Sequence, residues 1–262
     1  MGLSGRLRCP KAKRGSRETG KEPNILRLRR RAKLRRARKE YESDDLSGRL
    51  VTILDPASDA SGDYHSLRAT LAYALVDNPP KVIVLTSPGP REGKSTICAN
   101  LGVALAQADR STLILDCDLR RPMVHKIFGL RNDRGIVAIL AEERRWQEVY
   151  QEPLPGLKVI VVGPIPPNPM ELLSSRRFAE FLDQARQEFD YVLIDTPATD
   201  LVPDPAVVAT QGDGVLLVLD ARDIRKGAVL RAMRRLQTVG ATVLGTIMND
   251  AKVSKGDYYP PP

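Results

Sequence analysis

Residues 82–96 read VIVLTSPGPREGKST, and the fold turns on this stretch. It opens with VIVLT, a continuous apolar run of the kind that forms a strand buried on both faces. A loop holding Gly89 and Gly93 follows, and the chain then enters the helical run TICANLGVALAQA by way of Lys94, Ser95 and Thr96. A phosphate needs backbone donors and positive charge at close range. Gly93 lets the backbone wrap the anion, and the amides of residues 91–96 converge at a helix N-terminus. Lys94 is placed to reach the β- and γ-phosphates, and the Ser95 hydroxyl to ligate Mg²⁺. The strict GxxxxGK[ST] spacing calls for glycine at 88, where this chain has Pro88, but the strand–loop–helix context is intact.

Outward from this loop the pattern alternates. Apolar runs at 112–116, 158–162, 191–195, 215–219 and 242–248 predict further buried strands, and the intervening stretches 94–108, 171–188 and 225–238 predict helices. Tyr64, Leu67, Leu71 and Leu75 predict a helix over 63–76, while 51–54 reads as a short strand or an extended lead-in. The fold class is therefore α/β, a Rossmann-like P-loop domain with a mostly parallel sheet and helices on both faces. Two more strand ends carry chemistry. TLILDCDLRRP at 112–122 ends a strand in Asp116, with Asp118 two residues on, and alternation predicts both side chains on one side of the extended chain. DYVLIDTP at 190–197 ends a strand in Asp195, placed to hold Mg²⁺ through water. In an open parallel sheet, strand C-termini form the ligand crevice.

The charge divides the chain in two. Residues 1–40 hold 16 Lys/Arg and 3 Asp/Glu, a net of +13; the totals of 41 and 32 leave 25 and 29 for the rest, a net of −4. The basic excess thus belongs to an arm and not to the globular part, so a nucleic-acid role read from the total of +9 would be misplaced, and no specific nucleic-acid partner is expected. The expected organisation is a disordered basic arm at 1–48, a P-loop ATP-binding domain at 49–250 and a flexible tail at 251–262. The arm suits an anionic membrane surface, where each cation contributes on the order of 1 kcal/mol. No apolar run approaches the roughly 20 residues of a membrane span. Cys9, Cys98 and Cys117 have neither disulfide-framework nor zinc spacing. The expected location is cytoplasmic, peripheral at the inner face of the plasma membrane. His65 and His125 are expected to be ordinary helix-face residues.

The three blocks SPGPREGKST, LILDCDLRRP and YVLIDTP, in this order, resemble the Walker A, Walker A′ and Walker B motifs of the bacterial tyrosine kinases of capsule and exopolysaccharide synthesis. The stretch from Asn168 and Pro169 through Glu171 and Leu172 to Asp195, together with Asp204 and GTIMND at 245–250, also fits that family. The resemblance spans about 60–259. It implies ATP and Mg²⁺ as cofactors and phosphoryl transfer to tyrosine. It implies that Gly89, Gly93, Lys94, Ser95 and Thr96 hold the phosphates, and that Ser95, Asp118 and Asp195 serve the metal. Lys94, Asp116 and Asp118 form the catalytic set, with Asp116 as the base that accepts the tyrosine proton and Asp118 supporting it. Asn249 is implied to contact adenine. Tyr258 and Tyr259 are the implied phosphoacceptors on a homo-oligomer activated by the cytoplasmic segment of a membrane chain-length or adaptor protein.

Several positions depart from the family pattern. An E-x-x-R-x-x-R stretch usually pairs neighbours in a ring; here Gly62 to Arg68 reads GDYHSLR and keeps only Arg68, so weaker ring assembly is expected. The tail offers two tyrosines instead of a larger cluster, and Arg91 stands where glycine is common. These departures keep open an ATP-binding regulatory subunit without kinase activity. A partitioning-type P-loop ATPase switch is the other alternative, but it requires a second lysine where this chain has Gly89.

Overall fold

The structure is a computed structural model that describes residues 49–73 and 79–251. The basic arm and the expected phosphoacceptors Tyr258 and Tyr259 lie outside the described residues. Seven strands form one sheet: β1 (Val82–Ser87), β2 (Thr112–Asp116), β3 (Gln151–Leu154), β4 (Leu157–Ile160), β5 (Tyr191–Ala198), β6 (Gly214–Asp220) and β7 (Val243–Asn249). Their order is β3-β4-β2-β5-β1-β6-β7, with every pairing parallel except the β3–β4 hairpin. The central strands β1, β2 and β5 are buried along their whole length, as their unbroken apolar runs require.

Alternation along each strand divides the core into two layers. Val82 and Val84 face one side, while Ile83 and Leu85 face the other. The Ile83 side is covered by α1 (Val51–Leu54), α2 (Asp59–Tyr73), α3 (Lys94–Gln107) and α4 (Val124–Ile127). The Val82 side is covered by α5 (Ile136–Leu140), α6 (Pro169–Leu173), α7 (Arg176–Glu188), α8 (Asp204–Ala209) and α9 (Lys226–Thr238). A strand lysine, Lys158 on β4, is accommodated by placing its Nζ 4.2 Å from the ring centre of Tyr150 and 5.4 Å from those of Trp146 and Phe189.

Three local expectations are corrected. Residues 51–54 form a helical turn, not a strand, because Thr52 is tied through its N–H and hydroxyl to Asn100 Oδ1 of α3 at 3.1 and 2.9 Å. The helix read over 171–188 is two helices: Ser175 breaks the run and caps α7, its Oγ accepting from Phe178 N–H at 3.3 Å. The antiparallel strand β3, QEPL, has neither an apolar run nor clear alternation, and it was not anticipated. Among the described residues no helix is long and apolar enough to cross a membrane.

Candidate functional site

β1, β5 and β2 lie side by side; β1 leads into the P-loop and β2 ends in Asp116, whereas Asp195, expected at a strand end, lies within β5, which runs on to Ala198. Asp116 and Asp195 are register partners on neighbouring parallel strands. Gly93 takes φ 94° and closes the loop as the N-cap of α3. A Cβ at Gly93 would lie 2.4 Å from Nδ2 of Asn249, which itself donates to the Glu92 carbonyl at 3.3 Å. The Glu92 carboxylate braces the other side of the loop. Its Oε1 accepts from Gly89 N–H at 2.6 Å and its Oε2 from Asp220 N–H, at the end of β6, at 3.3 Å. The loop is also tied to the chain after β5, where Thr199 N–H donates to the Ser87 carbonyl at 2.8 Å.

These elements border a cleft of about 530 Å³ lined by Gly93, Lys94, Ser95, Thr96 and Asp118, as the motif reading expected. Asp116, Asp195 and Gly89 are not among its lining residues. Both aspartates lie beneath the cleft with no exposed surface. The alternation argument for Asp116 and Asp118 is corrected here, because β2 ends at Asp116 and the chain turns immediately. Asp116 Oδ1 accepts from Asp118 N–H and its Oδ2 from Val124 N–H, both at 3.1 Å. Asp118 is only partly buried, and its Oδ1 accepts from the backbone of Arg120 at 3.3 Å and of Arg121 at 2.9 Å. Asp116 therefore shapes the turn that presents Asp118 to the cleft.

The electrostatics set Asp195 apart. Among the described residues, neither of its carboxylate oxygens has a hydrogen-bond partner. Burial pushes its pKa from 3.8 up to about 7, against the attraction of Lys94 and Ser95 and with the repulsion of Asp118. The Ser95 hydroxyl is near enough to stabilise the carboxylate without closing a hydrogen bond onto it. Asp116 is also raised well above the carboxylate range, first by burial and then by Asp195, while its two backbone donors oppose the shift. A buried carboxylate with two unused oxygens beside a hydroxyl and an ammonium group suits a hydrated divalent cation.

Residues 83–258 match the CobQ/CobB/MinD/ParA nucleotide binding domain family. The tyrosine-protein kinase YwqD of Bacillus subtilis is 36% identical over 211 residues, covering 80% of this chain and 89% of that protein. The chain belongs to the bacterial tyrosine kinase family. Among solved structures, the chimerical protein CapA2B2 aligns with a TM-score of 0.75 at 32% identity, covering 84% of this chain and 99% of that one. The kinase domain of the Escherichia coli tyrosine kinase ETK aligns with a TM-score of 0.73 at 30% identity, covering 78% and 82%.

In this bacterial tyrosine kinase the motif reading left several cleft residues unassigned. Arg49, Pro90, Arg121, Met123, Ala198 and Leu201 also line the cleft, as does Arg91. The adjacent residues Arg120 and Arg121 serve different neighbours. Arg121 lines the cleft, whereas Arg120 pairs with the fully buried Asp204 at the start of α8, Nε to Oδ2 at 3.0 Å. That pair joins the turn after β2 to the segment after β5. The arginine pair in LRRP was the available signal, but its division of labour depends on Asp204, 84 residues away. Asn249, expected to contact adenine, lies against the phosphate loop and is not among the residues lining the cleft.

Proposed function

We propose that the chain is an ATP- and Mg²⁺-dependent protein-tyrosine autokinase that regulates capsular or exopolysaccharide synthesis and export. The observation that carries this reading is the buried, unpartnered carboxylate of Asp195 beside Lys94 and Ser95, beneath a cleft lined by the P-loop. Asp195 and the Ser95 hydroxyl would hold the metal, with Asp118 near enough to add a third oxygen. When bound, the metal neutralises phosphate charge during transfer. Lys94 and the loop amides orient the phosphates. Asp116 has the raised proton affinity expected of a base that takes the tyrosine proton near neutral pH. Since it has no exposed surface, the turn from Asp118 to Val124 must shift for it to reach a phenol. Tyr258 and Tyr259 are the proposed acceptors; Tyr191, buried in β5, is not placed for that role.

The proposed partners are a membrane chain-length or adaptor protein with a cytoplasmic activating segment and, through the basic arm, an anionic membrane surface. Incubation with ATP, Mg²⁺ and such a partner is expected to give phosphotyrosine. Its absence with every partner tested would oppose the kinase reading. The Tyr258→Phe, Tyr259→Phe double variant should lose most of the signal, and mass spectrometry finding phosphate mainly elsewhere would reject that acceptor pair.

One observation favours a second reading, an ATP-binding regulatory subunit. Arg68, the sole remainder of the assembly motif, donates from Nη1 to the Ala104 carbonyl of α3 at 3.1 Å and contacts His65 Nδ1 at 3.4 Å. It is engaged within its own chain. Nucleotide binding without any phosphotyrosine is the outcome that would select this reading.

A further inference from the structure

Arg91 lies in the phosphate loop at φ 67°, in the left-handed region that glycine adopts freely and an L side chain adopts at a cost. Such backbone strain persists where the surrounding structure over-determines it, and it clusters at ligand clamps and active sites. The Arg91 side chain is exposed and lines the cleft with Lys94 and Ser95. Arg49, at the start of the described domain, and Arg121, in the turn after β2, line the same cleft. Among the described residues none of these three guanidinium groups has a carboxylate partner.

Arginines on the adjoining loops and on α9 are neutralised. Arg120 pairs with Asp204, Arg222 with Asp220 and Asp250, Arg225 with Asp223, and Arg231 with Asp200. Asp118, the acidic residue lining the cleft, has Oδ1 committed to two backbone amides. The mouth of the cleft thus keeps a concentration of unpaired positive charge in a region where acids are plentiful. The loop amides serve the inner phosphates, which ATP and ADP share, and Lys94 reaches from the β- to the γ-phosphate. A planar guanidinium group favours a doubly hydrogen-bonded contact with a phosphoryl group.

We propose that Arg91, assisted by Arg49 and Arg121, contacts the terminal phosphate of the bound nucleotide and makes the site select a nucleoside triphosphate over a diphosphate. This inference rests on the ATP site proposed above. A contact made only with the group that distinguishes two ligands sets the difference between their affinities. Glycine at 91 would relax the loop but forfeit that contact.

The test measures Mg²⁺-dependent binding of ADP and of a non-hydrolysable ATP analogue to the wild type, R91G, R91Q and R91K, with Lys94→Met as a control. R91G and R91Q are expected to weaken triphosphate binding about tenfold or more, and diphosphate binding less than about threefold. R91K is expected to fall between them and the wild type. Thermal unfolding of the ligand-free proteins supplies a second readout: R91G should be at least as stable as the wild type, so its weaker binding cannot come from a damaged fold. A triphosphate-to-diphosphate ratio unchanged in R91G and R91Q, or an equal loss of both ligands, overturns the proposal. If the wild type binds nucleotide and Lys94→Met does not, such a result leaves the ATP site standing. If the wild type binds neither nucleotide, both readings fall.

Discussion

Asp195→Asn removes a charge from the centre of the sheet with little change in shape. The wild-type carboxyl is fully buried, its oxygens are unpartnered, and its pKa is raised from 3.8 to about 7. The same group titrates near 3.9 in an unfolded chain, so over the intervening pH range the folded protein holds a proton that the unfolded chain has lost. Stability therefore falls as pH rises from about 4 to about 7, and it stays reduced above that range. Three pH units at about 1.4 kcal/mol each amount to roughly 4 kcal/mol. Removing this charge also relieves the repulsion that raises Asp116. The amide forgoes attraction to Lys94 and brings an N–H that needs a partner, so the net gain expected for the nucleotide-free variant at pH ~8 is about 2–4 kcal/mol. Near pH 4 the two proteins should converge. Urea unfolding followed by Trp146, the chain's only tryptophan and buried in the core, reads the difference directly. Added Mg²⁺ and an ATP analogue should stabilise the wild type more than the variant. A variant less stable at alkaline pH, or a difference that does not change with pH, would refute the reasoning.

Lys94→Met should reduce binding of a fluorescent ATP analogue by about a hundredfold or more while the fold survives, since the ammonium group is the cation at the loop–helix junction. Unchanged affinity in the folded variant would remove Lys94 from the site. Asp116→Asn should retain nucleotide affinity and lose phosphoryl transfer. Transfer at the wild-type rate would exclude Asp116 as the base. Arg120→Ala leaves the buried Asp204 carboxylate without its cation, and unfolding experiments should show a loss of about 2–3 kcal/mol, reduced from the fully buried case because Arg120 is 44% exposed. A loss below about 0.5 kcal/mol would place this pair with ordinary surface ion pairs. Deleting residues 1–45 should leave nucleotide binding intact but weaken binding to anionic vesicles in a salt-sensitive way; equal vesicle binding by both proteins would show that the arm is no anchor.

The parts of the fold legible in the sequence are those with one physical cause. Strands such as VIVLT and TLILD are buried on both faces, so their apolar runs are unbroken, and Lys94 and Ser95 follow β1 after a single short loop. The less legible parts depend on distant partners. Thr52 joins a helical turn because Asn100 receives it, and β3 exists because β4 offers an edge. In the site, the apolar runs pointed to Asp116 and Asp195, but β5 continues past Asp195 to Ala198, and the burial of Asp116 beneath the cleft did not follow from alternation. That depends on the turn between Asp118 and Val124 closing over Asp116. Arg91 was visible as an exception to a glycine position, and its left-handed backbone shows that the loop retains the glycine geometry.

The contact between Asn249 and the phosphate loop also bears on reaction order. Tyr258 and Tyr259, the proposed acceptors, follow Asn249 by nine and ten residues, so a segment anchored beside the phosphate loop carries both phenols. Whatever its conformation, a chain of that length keeps them within about 30–36 Å of the anchor. Confinement on this scale corresponds to an effective concentration on the order of millimolar. A neighbour's tail, offered by a second molecule at micromolar concentration, is outnumbered about a thousandfold by the resident one. Transfer between molecules must therefore overcome a large statistical handicap, by geometry that bars the resident phenols from in-line approach or by an assembly that raises the neighbour to comparable local density. Initial rates measured across a dilution series separate the cases: a first-order rate independent of protein concentration marks the resident tail as the acceptor, and a second-order rate marks the neighbour's.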